Sequence, residues 1–229
     1  MSATLVIFDL DGTLVDTAPD LIDALNHTIA ADGLAPVTFE DLTHLVGQGA
    51  RMMIKRAFAL RETPLADDAI EPLYDRFITH YMAQMPGQSV PYPGVVPALE
   101  RLSANGFALA VCTNKASVLT HALLERLDLT RHFGTITCGD TFEWRKPDPR
   151  HILGTIDKAG GEVSRAIMIG DSINDILAAR HAGVVSIGVP FGYSDVPMAE
   201  LSPDRLIDTY DDLDATLVDG LLARRIAAA

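Results

Sequence analysis

Short, almost unbroken apolar runs recur along this chain: TLVIFDL (4–10), FALAVCTN (107–114), GTITCGD (134–140), RAIMIGDS (165–172), VVSIGVPFG (184–192) and RLIDT (205–209). Apolar residues without alternation belong to strands covered on both faces, and such strands occur in parallel sheets with helical crossovers. Helical patterns lie between most of the runs, in KASVLTHALLERLDL (115–129), PRHILGTIDKAG (149–160) and INDILAARHAG (173–183). The last of these is stopped by Gly183, a residue typical of helix ends. The expected fold is therefore α/β: a doubly wound, Rossmann-like parallel sheet with right-handed crossovers.

One stretch breaks the rhythm. DLIDALNHTIAADG, TFEDLTHLVGQGARMMIKRAFAL and DAIEPLYDRFITHYMAQM read as amphipathic helices with no strand among them. PGQSVPYPGVVP (86–97), dense in proline and glycine, reads as a return linker. The sequence thus predicts a core built from residues 1–14 and 92–229, and an all-helical cap inserted at 15–91. Hinges are expected near 14–19 and 84–94. A chain of 229 residues is long enough for this division.

A formal net charge of -13 leaves no basic surface to neutralise phosphates, so a nucleic-acid partner is excluded. The two cysteines, Cys112 and Cys138, sit in apolar surroundings and form no spaced framework, which points to a reducing compartment. The N-terminus lacks a basic leader, and no apolar run is long enough to span a bilayer. A cytoplasmic protein without membrane contact is expected. The sequence does not specify an oligomeric state.

In an open parallel sheet, ligands bind beyond the carboxyl ends of the strands, and polar residues collect there. The first run ends in Asp9 and Asp11, the second in Thr113 and Asn114, and AIMIG in Asp171 and Ser172, with Asp175 one turn later. Lys146 precedes a proline pair in EWRKPDP. Singly, these have ordinary explanations: a turn at Asp11–Gly12, helix caps, a surface lysine. His27, His44, His121 and His181 have no partner at ligand spacing and are read as surface or packing residues, and Met52 and Met53 as core filler.

The ordinary explanations do not account for the joint pattern. Neighbouring carboxylates at about 4–5 Å repel by roughly 3–4 kcal/mol per pair at an effective dielectric near 20. One lysine cannot offset four such charges, whereas a hard divalent cation can, and an oxygen-rich site suits Mg²⁺ better than zinc. A metal, a hydroxyl and an ammonium around one acidic nucleophile make a pocket for a phosphoryl group. Its partner is then a small phosphorylated metabolite.

FDLDGTLVD, VCTNK, RKPDP and IGDSIND, in this order and across nearly the whole chain, resemble the four motifs of the haloacid dehalogenase superfamily. The helical insertion and LVGQGARMMIKRAF (45–58) are similar to the cap of its phosphoglycolate phosphatase branch. The resemblance implies that Asp9 is the nucleophile, forming an aspartyl-phosphate, and that Asp11 is the general acid and base. It implies that Thr113, Asn114 and Lys146 bind the phosphoryl oxygens. Asp9, Asp171 and the backbone carbonyl of Asp11 would hold Mg²⁺, with Asp175 and Ser172 just behind. Gln48 and Arg51 in the cap, together with Lys115, are candidate contacts for the rest of the substrate. Removing one of the carboxylates is expected to stop catalysis while relieving repulsion in the metal-free protein.

The implied activity is a Mg²⁺-dependent phosphatase acting on a small monoester, with 2-phosphoglycolate the first choice. A sugar phosphatase, a β-phosphoglucomutase-type phosphomutase, and a pyrophosphate or nucleotide phosphatase share the motifs and stay open. Dehalogenase chemistry is disfavoured by Asp11. Phosphonatase chemistry would rest on Lys55, the cap's lone lysine. A non-catalytic Mg²⁺- or phosphate-binding regulator is a remote alternative.

Overall fold

The computed structural model describes residues 3–228; the outermost residues of the expected core segments, 1–2 and 229, lie outside the described residues. From the N-terminus the elements run β1 (Leu5–Phe8), β2 (Val15–Asp16), α1 (Ala18–Ala30), α2 (Phe39–Leu45), α3 (Ala50–Leu60) and α4 (Ile70–Gln84). There follow β3 (Val90–Pro91), α5 (Val95–Ala104), β4 (Ala108–Cys112), α6 (Ser117–Arg126), β5 (Thr135–Thr137) and α7 (Pro149–Lys158). The chain ends with β6 (Ala166–Gly170), α8 (Ile173–Ala182), β7 (Val185–Gly188), β8 (Arg205–Leu206) and α9 (Ala215–Ala228).

Six strands form one parallel sheet in the order β5-β4-β1-β6-β7-β8. Successive strand residues point to opposite faces, and both faces here are buried. Val6 and Phe8 join one apolar cluster with α5 and α9, while Leu5 and Ile7 join a second with α7 and α8. This double coverage explains why the runs do not alternate. Both cysteines are buried and free, and burial pushes the Cys112 thiol up to about 11. Among the described residues no helix is long and apolar enough to cross a membrane.

Each strand is shorter than its apolar run because the ends already belong to loops. At β1 the Asp9 amide still donates to Ile169 O (2.9 Å), and the chain then coils on itself. The Leu10 carbonyl accepts from the amides of Thr13, Leu14 and Val15. That tight turn throws Asp9 and Asp11 beyond the sheet edge.

Helices α1–α4 lie between β1 and β4 in sequence and share one core around Leu25, Ile54 and Phe77. Residues 38–60 hold two helices, because Gly47 (φ +96°) and Gly49 (φ +82°) take left-handed conformations that end one helix and start the next. The crossings into and out of this unit are also paired, Val15 with Pro91 and Asp16 with Val90. Buried Asp20 binds the return segment, accepting from the amides of Gln88 (2.9 Å) and Ser89 (2.8 Å) and from Ser89 Oγ (2.5 Å). Helices α5 and α9 and the two short strands β2 and β3 were not expected from the sequence.

His151 on α7 is fully buried, packs edge-on against Phe142, and neither ring nitrogen meets a well-aligned hydrogen-bond partner. Burial, reinforced by Lys146 and Arg145, depresses its pKa to about 3 from 6.5. In the unfolded chain the ring titrates at its ordinary value, so stability is lost as pH falls from about 6.5 toward 3. His151→Met is therefore expected to raise Tm at pH 7 and to flatten the loss of Tm between pH 7 and pH 5. Parallel Tm-against-pH curves for variant and wild type would contradict this.

Candidate active site

The loops leaving β1, β4 and β6 converge at the carboxyl edge of the sheet, and the turn between α2 and α3 covers them. Between them lies a cavity of about 160 Å³. Asp9, Asp11, Thr113, Asn114, Asp171 and Ser172 all line it, so the structure brings together most of the residues singled out from the sequence. Gln48 reaches it from the cap turn.

Lys146 and Asp175 form the floor beneath these residues. The Lys146 side chain is 1% exposed and stands 2.9 Å from Asp9 Oδ1 and 2.6 Å from Asp175 Oδ1. Burial favours its neutral form, but Asp175 and Asp9 outweigh this and raise its pKa above the ordinary lysine value. Asp175 is spoken for on both oxygens, since its Oδ2 accepts from the Ser172 amide (3.0 Å) and hydroxyl (2.7 Å) at the start of α8. Ser172 and Asp175 thus form a reciprocal cap that orients the lysine.

Asp9 differs. Its Oδ1 is buried and receives no aligned hydrogen bond, despite the nearby ammonium. Burial raises its pKa to about 6, against the opposing pull of Lys146. Burial raises Asp171 well above the ordinary carboxylate range too, with Asp175 and Asp9 adding to the effect. Its two oxygens accept from Thr13 Oγ1 (2.9 Å) and the Tyr193 amide (2.8 Å), with no cation among its hydrogen-bond partners. One oxygen from each of Asp9, Asp171 and Asp175 falls within 4.8 Å of the others. An all-carboxylate set of three acids with one ammonium among them fits a hard divalent cation.

Two sequence expectations change. The four aspartates face two lysines rather than one. Lys115, whose side chain is 4% exposed, contacts Asp11 Oδ1 (2.9 Å) and Oδ2 (3.3 Å) and donates to Tyr81 Oη (3.0 Å) on α4. Its pKa is raised because Asp11 and Tyr81 overcome the effect of burial. Lys115 is therefore the partner of Asp11, a pairing between residues far apart in sequence.

The Asn114 side chain is engaged within the protein. Its Oδ1 accepts from the Lys146 amide (3.0 Å), and its Nδ2 donates to the carbonyls of Lys146 (2.8 Å) and Gly47 (2.8 Å). Arg51 lies off the cavity, clamped bidentately by Glu71 (2.8 and 2.7 Å) and stacked 3.5 Å above the Tyr74 ring. The guanidinium on the cavity wall is Arg56, which donates to the carbonyls of His44, Leu45 and Val46 at the end of α2. Arg56 sits in the same motif five residues on, on another face of the same helix. His44, read as a surface or packing residue, is exposed at the rim of the cavity.

Tyr193 had no sequence signal beyond its place after an apolar run. Its hydroxyl accepts from the amides of Thr17 (2.6 Å) and Ala18 (2.9 Å) and donates to Asp16 Oδ1 (2.6 Å). With its own amide on Asp171, this residue ties the sheet edge to the start of α1.

Comparison with known proteins agrees with this architecture. A phosphoglycolate phosphatase from Agrobacterium fabrum is 68% identical over 225 residues, covering 98% of this chain and 97% of that protein. The crystal structure of a predicted phosphoglycolate phosphatase from Haemophilus somnus superposes with a TM-score of 0.87 at 31% identity, covering 92% of this chain and 96% of that one. CbbY from Rhodobacter sphaeroides, solved in complex with phosphate, gives 0.83 at 26% identity, covering 95% and 100%. The model of haloacid dehalogenase-like hydrolases matches residues 6–189, a span that runs from β1 past β7 and includes every acidic and basic group described above. With its sheet edge, its insertion and its four motifs in that order, this chain belongs to the haloacid dehalogenase-like hydrolase family.

Proposed function

We propose that the protein is a Mg²⁺-dependent phosphatase whose preferred substrate is 2-phosphoglycolate, with residues 15–91 serving as the cap over the reaction site. The observation that carries this reading is the grouping of Asp9, Asp11 and Asp171 on the cavity wall, with the buried Lys146 ammonium 2.9 Å from Asp9 Oδ1. The ammonium pairs one oxygen of Asp9, and the carboxylate as a whole stands on the cavity wall where a phosphoryl group would meet it. A cavity of about 160 Å³ suits a small ester rather than a nucleotide. The high identity to a named phosphoglycolate phosphatase points to the same substrate.

In this reading Asp9 attacks the phosphorus and takes the phosphoryl group as an aspartyl-phosphate. Asp11, two residues on and steadied by Lys115 and by Thr17 Oγ1 (2.8 Å), gives a proton to the leaving glycolate oxygen. It then removes one from the water that cleaves the intermediate. Thr113 and Lys146 hold the phosphoryl oxygens. Asp9, Asp171 and the carbonyl of Asp11 hold Mg²⁺, with Asp175 behind; bound there, the ion neutralises charge on the transferring group. On the cap side Arg56 and Gln48 face the substrate's carboxylate, Arg56 in the role the sequence suggested for Arg51.

The test is a kinetic panel with Mg²⁺ present: 2-phosphoglycolate, sugar phosphates, nucleotides and pyrophosphate. The expected result is the highest kcat/KM for 2-phosphoglycolate, by about tenfold or more, a margin of the size that one misfitted contact costs. A better sugar phosphate would overturn the substrate, and inactivity on every ester would overturn the phosphatase.

A further inference from the structure

Gly47 is where the cap turn meets two separate core loops. Its carbonyl accepts from Asn114 Nδ2 (2.8 Å), in the loop after β4, and from Asn174 Nδ2 (3.2 Å), in the first turn of α8. The turn is shaped for this approach. A Cβ on Gly47 would sit 2.8 Å from Asn174 Nδ2, and one on Gly49 would sit 3.2 Å from the Asn114 carbonyl. The Asn114 amide that reaches the cap also holds the backbone of Lys146 on both sides, through its N–H and its carbonyl. One side chain therefore touches the cap turn and the segment that carries the buried ammonium.

We infer that Asn174 is a positioning residue which, with Asn114, latches the cap turn onto the core, so that closing the cavity and setting Lys146 are one event. Asn174 lines the cavity, is 8% exposed, and spends its side-chain amide on this cap carbonyl. Two donors on one acceptor make the contact directional: the turn must arrive with the Gly47 carbonyl facing inward. The glycines at 47 and 49 are then the means by which the backbone gets close enough, and a side chain at either would hold the cap ajar. The kinetic consequence rests on the phosphatase reading; the latch itself does not.

The latch is tested on the protein without metal or substrate. Met53→Cys puts a thiol on the cavity wall of the cap, at a residue only 3% exposed, so alkylation by iodoacetamide, followed by mass spectrometry, reports cap opening. Adding Asn174→Ala is expected to speed alkylation at position 53 by about tenfold, the equilibrium equivalent of one net hydrogen bond. Gly47→Ala, which attacks the contact from the other side, is expected to do the same. The native thiols of Cys112 (0% exposed) and Cys138 (1% exposed) report global opening and keep their wild-type rates. An unchanged rate at position 53, or matching acceleration at the native cysteines, overturns the latch.

In turnover, Asn174→Ala lowers kcat/KM while the Mg²⁺ concentration for half-activation stays put. A shift in that concentration would overturn the assignment by making Asn174 part of the metal site. A wild-type protein inactive on all phosphate esters would defeat the phosphatase reading and leave the labelling result standing.

Discussion

Asp9→Asn is expected to abolish turnover, by about four orders of magnitude or more as for removal of other enzymatic nucleophiles, and yet to raise the Tm of the metal-free protein. The reason lies in what burial does to this carboxylate. Its pKa stands at about 6 in the fold against 3.8 for a free side chain. The folded state therefore holds a proton more tightly than the unfolded chain, and ionising Asp9 weakens the fold as pH climbs from about 4 to about 6. At pH 7 the whole penalty is present. A shift of about two units, already net of the attraction to Lys146, corresponds to roughly 3 kcal/mol, and a gain of about 1–3 kcal/mol follows. In a chain of this length that means a Tm higher by roughly 3–10 °C. Lys146 is not left bare, because Asp175 stays 2.6 Å away. A lower metal-free Tm for Asp9→Asn would refute the argument, as would residual activity near the wild-type level.

Asp11→Asn is expected to be as damaging to turnover and opposite in stability. From the sequence alone, every carboxylate at this edge was a source of repulsion whose removal should stabilise the metal-free fold. The structure overturns that for Asp11, which neutralises Lys115, a lysine whose side chain is 4% exposed. Taking away one partner of a buried pair leaves an uncompensated charge and costs about 3–5 kcal/mol. The amide oxygen would still accept one bond, and Asp11 is itself 22% exposed, so a loss of about 2–3 kcal/mol is the better figure. The metal-free Tm should fall by roughly 5–10 °C. Thermal melts of the two variants side by side in chelator decide the matter: two shifts of the same sign would defeat the charge pairing described here. Restoring the balance with Asp11→Asn plus Lys115→Met should recover most of the lost stability and none of the activity.

The same contrast shows where sequence reasoning ended. Asp9, Asp11, Thr113 and Asp171 were legible because each follows an apolar run that pairs in a parallel sheet. Residues just past the ends of parallel strands emerge at one edge whatever else the chain does, so local order along three segments was enough to bring these residues to one cavity wall. The helical insertion was legible for the same local reason, a long stretch with helical spacing and no strand. The two glycines of VGQG mark the break between α2 and α3. Arg51 and Arg56 share α3, and which of them faces the cavity depends on how that helix packs against the core.

Through-space partners were not legible. Lys115 with Asp11 and Tyr81, Asn114 with Lys146 and Gly47, and Tyr193 with Asp171 and the start of α1 all join elements distant in the chain. An ion pair or hydrogen bond is decided within a few tenths of an ångström, and that precision comes from how helices and loops pack, not from residue spacing. The sequence by itself determined the sheet, its crossovers, and the acidic edge of IFDLDGTLVD with its four motifs. Only the tertiary structure decided which lysine answers which aspartate, and so why two carboxylates two residues apart should have opposite effects on the stability of the fold: one is buried beside a lysine already held by another acid, the other is the counter-charge of a lysine of its own.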